Sequence, residues 1–161
     1  MQVTQAASAE LNATVNHLLV LVEAFDGMLL GATNREEDID PALWRRFGMQ
    51  LSVDLPGPDE IYAILKRYGE PFVFAEEFLD VLAKLTEGAS PALLRQMMEG
   101  LKRSLVLGPR MKRDISDPSA LVMQLIEAVK PPPEFEPPAL WRSPRQAERL
   151  KGLAWPPERA S

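Results

Sequence analysis

Proline placement constrains this chain more than any other feature. Eight of its 15 prolines (Pro131, Pro132, Pro133, Pro137, Pro138, Pro144, Pro156, Pro157) fall in the last 31 residues. Proline lacks a backbone donor and fixes φ, so neither continuous helix nor sheet can run through such clusters. The composition shift predicts a boundary near Lys130, with residues 131–161 forming a Pro-rich, partly ordered tail of extended, polyproline-like chain. One short helix has a start signal there: Ser143 as cap and Pro144 at the first helical position, followed by RQAERLKGL. Trp141, Leu150, Leu153 and Trp155 supply apolar groups with which the tail can dock on its own protein. The alternative is a ligand for a proline-recognising partner.

The body before this boundary has ordinary globular chemistry. Of 161 residues, 46% are apolar and 25% charged, which excludes wholesale disorder and fibrous repeats. The net charge of −5 argues against a general nucleic-acid binder. With no cysteine there is no disulfide framework, thiolate metal site or cysteine nucleophile. No apolar run approaches the ~20 residues of a membrane span, and the N-terminus has no signal-peptide pattern. The expectation is a cytoplasmic protein without membrane or nucleic-acid partners.

Periodicity orders the body. Leu11, Val15, Leu18, Leu19 and Val22 predict a helix over 8–24. MLLGAT (28–33) has the length of a buried strand, Asp40-Pro41 starts a short helix, and 50–55 alternates as a half-buried strand. Beyond Gly57-Pro58 the pattern is helical throughout. Apolar stripes such as Ile61/Ile64/Leu65/Tyr68 and Leu94/Met97/Met98/Leu101/Leu105 are separated by Gly69, Gly88 and Gly108-Pro109, and a fourth helix follows Asp117-Pro118. Helices on short connections predict a small antiparallel bundle over 57–130.

The distinctive stretch is GATNREEDIDPALWRRFGMQLSVDLPGPDE (31–60). A strand ends in A-T-N, a loop leads to D-P-A-L and then R-R-F, and a second strand leads into a helical bundle. This order and spacing resembles the second region of homology of the AAA family of ATPases. The upstream helix and the bundle extend the resemblance over roughly 10–108. The fold it implies is α/β but mostly helical: the C-terminal half of a P-loop AAA module. A partial core over 1–56 with two short strands would precede a helical lid over 57–130 and the tail over 131–161.

The resemblance also implies roles. Asn34 matches the sensor-1 position, where an amide at a strand tip orients the attacking water. Arg45 and Arg46 match the arginine pair that reaches a neighbouring subunit's nucleotide. A guanidinium beside developing phosphoryl charge gives electrostatic stabilisation of roughly 10³–10⁵ in rate. Gly88 and Ser90 match the turn that opens the lid helix near the adenine, although Pro91-Ala92-Leu93 departs from the family's G-A-D continuation. Arg95, one turn on, is a candidate lid arginine directed toward phosphate. Cofactors by resemblance are ATP and Mg²⁺. Implied partners are neighbouring AAA subunits in a ring, a hexamer by family habit, or a missing N-terminal half.

Two departures weigh against activity in this chain. There is no G-x-x-x-x-G-K-[ST], hence no phosphate cradle. Nor is there an apolar strand ending in Asp-Glu; LLVLVE, ending at Glu23, has helical spacing. By resemblance both Walker elements belong before residue 1, and neither cofactor is expected to bind this chain tightly alone. The strands at 28–33 and 50–55 would lack their shared neighbour and be poorly stable.

The reading is therefore an AAA-family ATPase subunit or fragment, with ancestral ATP hydrolysis coupled to protein remodelling. The alternative is a non-catalytic module that docks on an AAA partner and supplies arginine in trans; a truncated gene product is a third option. Simpler readings stand beside each residue. Asn34 can be a turn residue, and Arg45/Arg46 a helix terminus complementing the dipole. Glu36, Glu37, Asp38 and Asp40 form a solvated loop, and His17 has no second ligand. Arg110, Lys112 and Arg113 read as solvated charge, and Met97-Met98 as core filler.

Overall fold

A computed structural model describes residues 2–131 and 136–160, with the side chains of 2–12 excepted. The chain divides into two compact units, Met1–Val53 and Asp54–Ser161. Unit 1 comprises helix α1 (Gln2–Ala24), a 3-10 turn (Glu36–Asp38) and the single-turn helix α2 (Pro41–Trp44). Unit 2 comprises α3 (Pro58–Gly69), β1 (Phe72–Val73), α4 (Glu76–Leu85), α5 (Pro91–Arg110) and α6 (Pro118–Ala128). It continues with α7 (Ala139–Arg142), a 3-10 helix (Pro144–Leu150) and β2 (Glu158–Arg159). The architecture is mostly helical with a small two-stranded sheet, as for a C-terminal AAA half with its lid.

Unit 2 owns the core. Its helices start on the residues that the sequence marks. Ser90 Oγ accepts from Leu93 N–H, and Asp117 Oδ1 accepts from the N–H groups of Ser119 and Ala120. At α3 the Gly57 N–H donates to Glu60 Oε2 at 2.8 Å, half of a reciprocal cap. The apolar stripes converge as expected: Ile61, Leu65, Phe78, Leu82, Leu94, Met98, Leu101 and Val122 are fully buried together. Gly69 earns its place sterically. A Cβ there would sit 3.1 Å from the Phe74 ring, tighter than ordinary van der Waals contact, so a side chain at the end of α3 would require that ring to shift.

One boundary moves. Gly108-Pro109 does not end α5, which runs on to Arg110. Pro109 has a φ suited to helix and, lying in the last turn, disrupts only one backbone bond. The stop comes at Lys112, with φ +54, where the Arg113 N–H turns back to Gly108 O at 2.9 Å.

The tail is more structured over 136–160 than an extended chain; part of the proline run, 132–133, lies outside the described residues. Leu140, Ala147 and Leu150 are fully buried in the same core as the lid helices. The Pro144 segment is helical as expected but of 3-10 type, without a side-chain cap from Ser143. Two indoles fasten it: Trp141 Nε1 donates to Val129 O and Trp155 Nε1 to Ile115 O, both at 2.6 Å. Trp155 also lies against the Phe78 and Phe74 rings, with centroids 5.2 and 6.1 Å away. β2 pairs antiparallel with β1, Phe72 opposite Arg159 and Val73 opposite Glu158.

Unit 1 corrects the expectation of strands at 28–33 and 50–55. Neither segment is a strand, and the two strands of the chain lie at 72–73 and 158–159 instead. A strand persists only where a neighbour takes up its backbone groups, and no described residue does so here. The apolar side chains are correspondingly uncovered: Met28 is 95% exposed, Leu30 87%, Leu51 78% and Val53 93%. No described residue of unit 1 is buried. Helix α1 begins at Gln2 rather than near Ser8, and α2 packs against it.

Candidate functional site

The candidate residues fall into two groups, one in each unit. In unit 1, Asn34 lies in an exposed bend directly after Thr33, whose Oγ1 accepts the Arg35 N–H at 3.0 Å. Arg35 itself is committed to the acidic loop, with ion pairs to Asp38 at 2.6 Å and Glu37 at 3.8 Å. Asp40 performs the capping role that the Asp-Pro start implies: its Oδ1 accepts the Ala42 N–H at 2.7 Å and opens α2. That single turn delivers Arg45 and Arg46 at its C-terminal end, both exposed. Adjacency gives the two arginines different surroundings. Arg46 is ion-paired with Glu23 of α1, whereas Arg45 forms no ion pair among the described residues. Phe47 turns inward instead, its ring close to Gly31.

In unit 2, Gly88, Ser90 and Arg95 occupy the α4–α5 turn and the first turns of α5. Gly88 has φ +83, a left-handed conformation that favours glycine. The turn is braced from below by Thr86, fully buried, whose hydroxyl donates to Leu82 O at 2.8 Å and whose carbonyl accepts the Ala89 N–H at 3.0 Å. Ser90 is spent on capping α5. Arg95 points outward, with Nε 2.8 Å from Glu99 Oε1 and its guanidinium 5.8 Å from the centre of the Tyr68 ring. The Glu99 hydrogen bond and charge raise the Arg95 pKa above its ordinary value. Reciprocally, the hydrogen bond from Arg95 holds the Glu99 carboxyl below the usual range, against a smaller opposing effect of desolvation.

Thr86 and Glu99 go unnamed in the sequence analysis above, and Tyr68 enters it only as part of an apolar stripe. The Arg95–Glu99 spacing of four residues on a helix is a legible signal. The Tyr68 contact is not, because it joins two helices. A cleft of about 530 Å³ lies elsewhere in unit 2, lined by Tyr62, Lys66, Phe72, Phe74 and Leu79 among others, and none of the candidate residues borders it.

These groups do not fit a complete site for a magnesium nucleotide. Among the described residues no three His, Asp or Glu side chains gather into a set suited to a metal ion. The sequence also has no glycine-rich loop with its lysine.

Comparison with known proteins bears on this directly. No family model matches the chain. No solved structure matches it. Among curated proteins, it is 38% identical over 114 residues to ATP-dependent zinc metalloprotease FtsH 2 of Conexibacter woesei, covering 66% of this chain and 16% of that protein. To ATP-dependent zinc metalloprotease FtsH 3 of Sorangium cellulosum it is 34% identical over 121 residues, covering 71% and 20%. To the proteasome-activating nucleotidase of Methanopyrus kandleri it is 35% identical over 99 residues, covering 57% and 23%. The chain thus spans less than a quarter of the length of these relatives. No described helix is long and apolar enough to cross a membrane. With a self-contained helical lid following an A-T-N…D-P-A-L-W-R-R-F segment, the chain belongs to the AAA family of ATPases and carries the C-terminal half of its module.

Proposed function

We propose that this chain is the sensor, arginine-finger and lid portion of an AAA ATPase subunit, whose family chemistry is Mg²⁺-dependent ATP hydrolysis coupled to protein remodelling. Asn34 is assigned the sensor-1 role, Arg45 and Arg46 the finger, and Gly88, Ser90 and Arg95 the lid side of the nucleotide site. Its partners are neighbouring AAA subunits in a ring, or a segment bearing the Walker elements. Alone, the chain neither holds ATP tightly nor hydrolyses it.

The observation that carries this reading is the contrast between the units. The lid buries its own core, while among the described residues Met28, Leu29, Leu30, Leu51, Val53 and Leu55 hold their apolar side chains exposed. Such exposure is unfavourable by ~25 cal/mol per Å² and marks a face that another segment covers. The test is ATP binding by the purified chain, followed by calorimetry. Binding weaker than about 1 mM is expected without a Walker loop; submicromolar affinity would overturn the inactivity.

A second reading, a non-catalytic module that supplies arginine in trans, is favoured by Arg45, exposed and without an ion pair among the described residues. Here the chain would be added to an AAA ATPase lacking its own finger. A rise in hydrolysis that Arg45→Ala abolishes would select this reading over the first.

A further inference from the structure

The cleft in unit 2 plays no part in the nucleotide role, and three elements build it. Tyr62 and Lys66 line it from α3, where a four-residue step places them on one side of the helix. Phe72 and Phe74 line it from β1 and the residue after it, and Glu76 and Leu79 from the first turns of α4. Phe74 and Leu79 are buried, and Tyr62 and Phe72 are half-buried against the same core. The walls are therefore fixed by the packing of the lid rather than by a loop. The volume, about 530 Å³, lies within the roughly 300–1,000 Å³ of small-ligand sites.

Two opposite charges border this apolar space uncommitted. Among the described residues, neither Lys66 nor Glu76 has an ion pair. Glu70, which also borders the cleft, is engaged by Arg67 at 3.4 Å. Helix dipoles account for a base in the last turn of α3 and an acid in the first turn of α4. They do not account for the aromatic and aliphatic side chains kept around a cavity beside both charges. A lone cation would suit an apolar acid, and a lone carboxylate an apolar amine. The two together suit a ligand with both charges on an apolar body. We propose that the cleft binds a short apolar peptide by its free ends. Lys66 pairs with the terminal carboxylate, Glu76 pairs with the terminal ammonium, and Tyr62, Phe72, Phe74 and Leu79 receive the side chains. Both end contacts are charge-assisted, and the apolar walls exclude the water that would otherwise weaken them. Asn34, Arg45, Arg46, Gly88, Ser90 and Arg95 do not border the cleft, so the site stands or falls separately from their assigned roles.

The test is an NMR titration of the full chain with the dipeptide Leu-Phe, without nucleotide. Amide shifts are expected at Tyr62, Lys66 and Val73, with Kd below about 1 mM. N-acetyl-Leu-Phe and Leu-Phe amide, each lacking one end charge, should bind at least about tenfold more weakly. Gly-Gly keeps both charges but has no side chains to bury, and should also be at least about tenfold weaker. Lys66→Gln should weaken Leu-Phe about tenfold yet leave Leu-Phe amide unchanged, and Glu76→Gln should do the same with N-acetyl-Leu-Phe as the indifferent ligand. Both positions are exposed, and the spectrum of each variant reports whether the lid keeps its fold. The proposal is overturned if Leu-Phe fails to bind at ~10 mM or shifts residues away from the cleft. It is equally overturned if blocking either end has no effect, or if a substitution weakens the free and blocked peptides alike.

Discussion

Replacing Trp155 with alanine tests whether the proline-rich tail is a working part of the lid. The indole joins three separate segments. It donates to Ile115 O at 2.6 Å and lies 5.2 Å from the Phe78 ring and 6.1 Å from the Phe74 ring. Aromatic contacts are worth about 0.5–1.5 kcal/mol each, and a hydrogen bond about 1 kcal/mol net. Truncation of a well-packed tryptophan costs about 3–5 kcal/mol, and Trp155 is half-buried, so the lower end, ~3 kcal/mol, applies. In a domain of this size each kcal/mol moves Tm by roughly 4–8 °C, which places the expected fall at roughly 12–24 °C. Calorimetry of the full chain measures it. Trp155→Phe keeps the rings in contact but removes the donor, and should lose about 1 kcal/mol. Amide exchange supplies an independent readout: the Ala160 N–H, bonded to Pro71 O at 2.8 Å, should lose protection in Trp155→Ala. A Tm within ~2 °C of wild type in Trp155→Ala would refute the claim that the tail belongs to the core.

Other outcomes follow from single positions. Ser119 is fully buried and its hydroxyl has no hydrogen-bond partner among the described residues, so Ser119→Ala should raise stability by about 1 kcal/mol in denaturant unfolding, since the alanine removes an unsatisfied group. Gly88→Ala must hold φ +83 and should destabilise the lid by about 1–2 kcal/mol in the same assay. The Glu99 carboxyl should titrate by NMR below its ordinary 4.5, and Arg95→Gln should move it back up. Because the folded-state pKa is depressed, this pair's contribution is present above 4.5 and is lost as pH falls through the folded value. Val53→Lys, at a position 93% exposed, should leave the lid's Tm unchanged within ~1 °C while reducing binding of a hydrophobic dye.

Much of the lid was legible before any coordinates. Stripes at helical spacing give α3 to α6, and capping chemistry at Ser90 and Asp117 gives two of the starts, because both signals are local. The same locality misplaced the end of α5: Gly108-Pro109 reads as a stop, yet the left-handed turn that closes the helix lies at Lys112. Of the candidate site, the order A-T-N, D-P-A-L, R-R-F was visible, and with it Asn34, Arg45 and Arg46. Which arginine is engaged was not, since Glu23 reaches Arg46 from α1, remote in sequence. Tyr68 over Arg95 escaped notice for the same reason.

The sequence by itself determined the family, the helical lid and the absence of a Walker loop, because each is written in residue types at fixed spacings. Only the tertiary structure decided the fate of the segments whose partners are remote. Residues 28–33 and 50–55 have strand patterning yet form no strand, because alternation supplies an apolar face but not the neighbour that a ladder needs. The tail has the composition of an open linker, yet Leu140, Ala147 and Leu150 complete the core. Proline forbids long regular elements, but it does not prevent short ones from burying side chains wherever the lid leaves room for them.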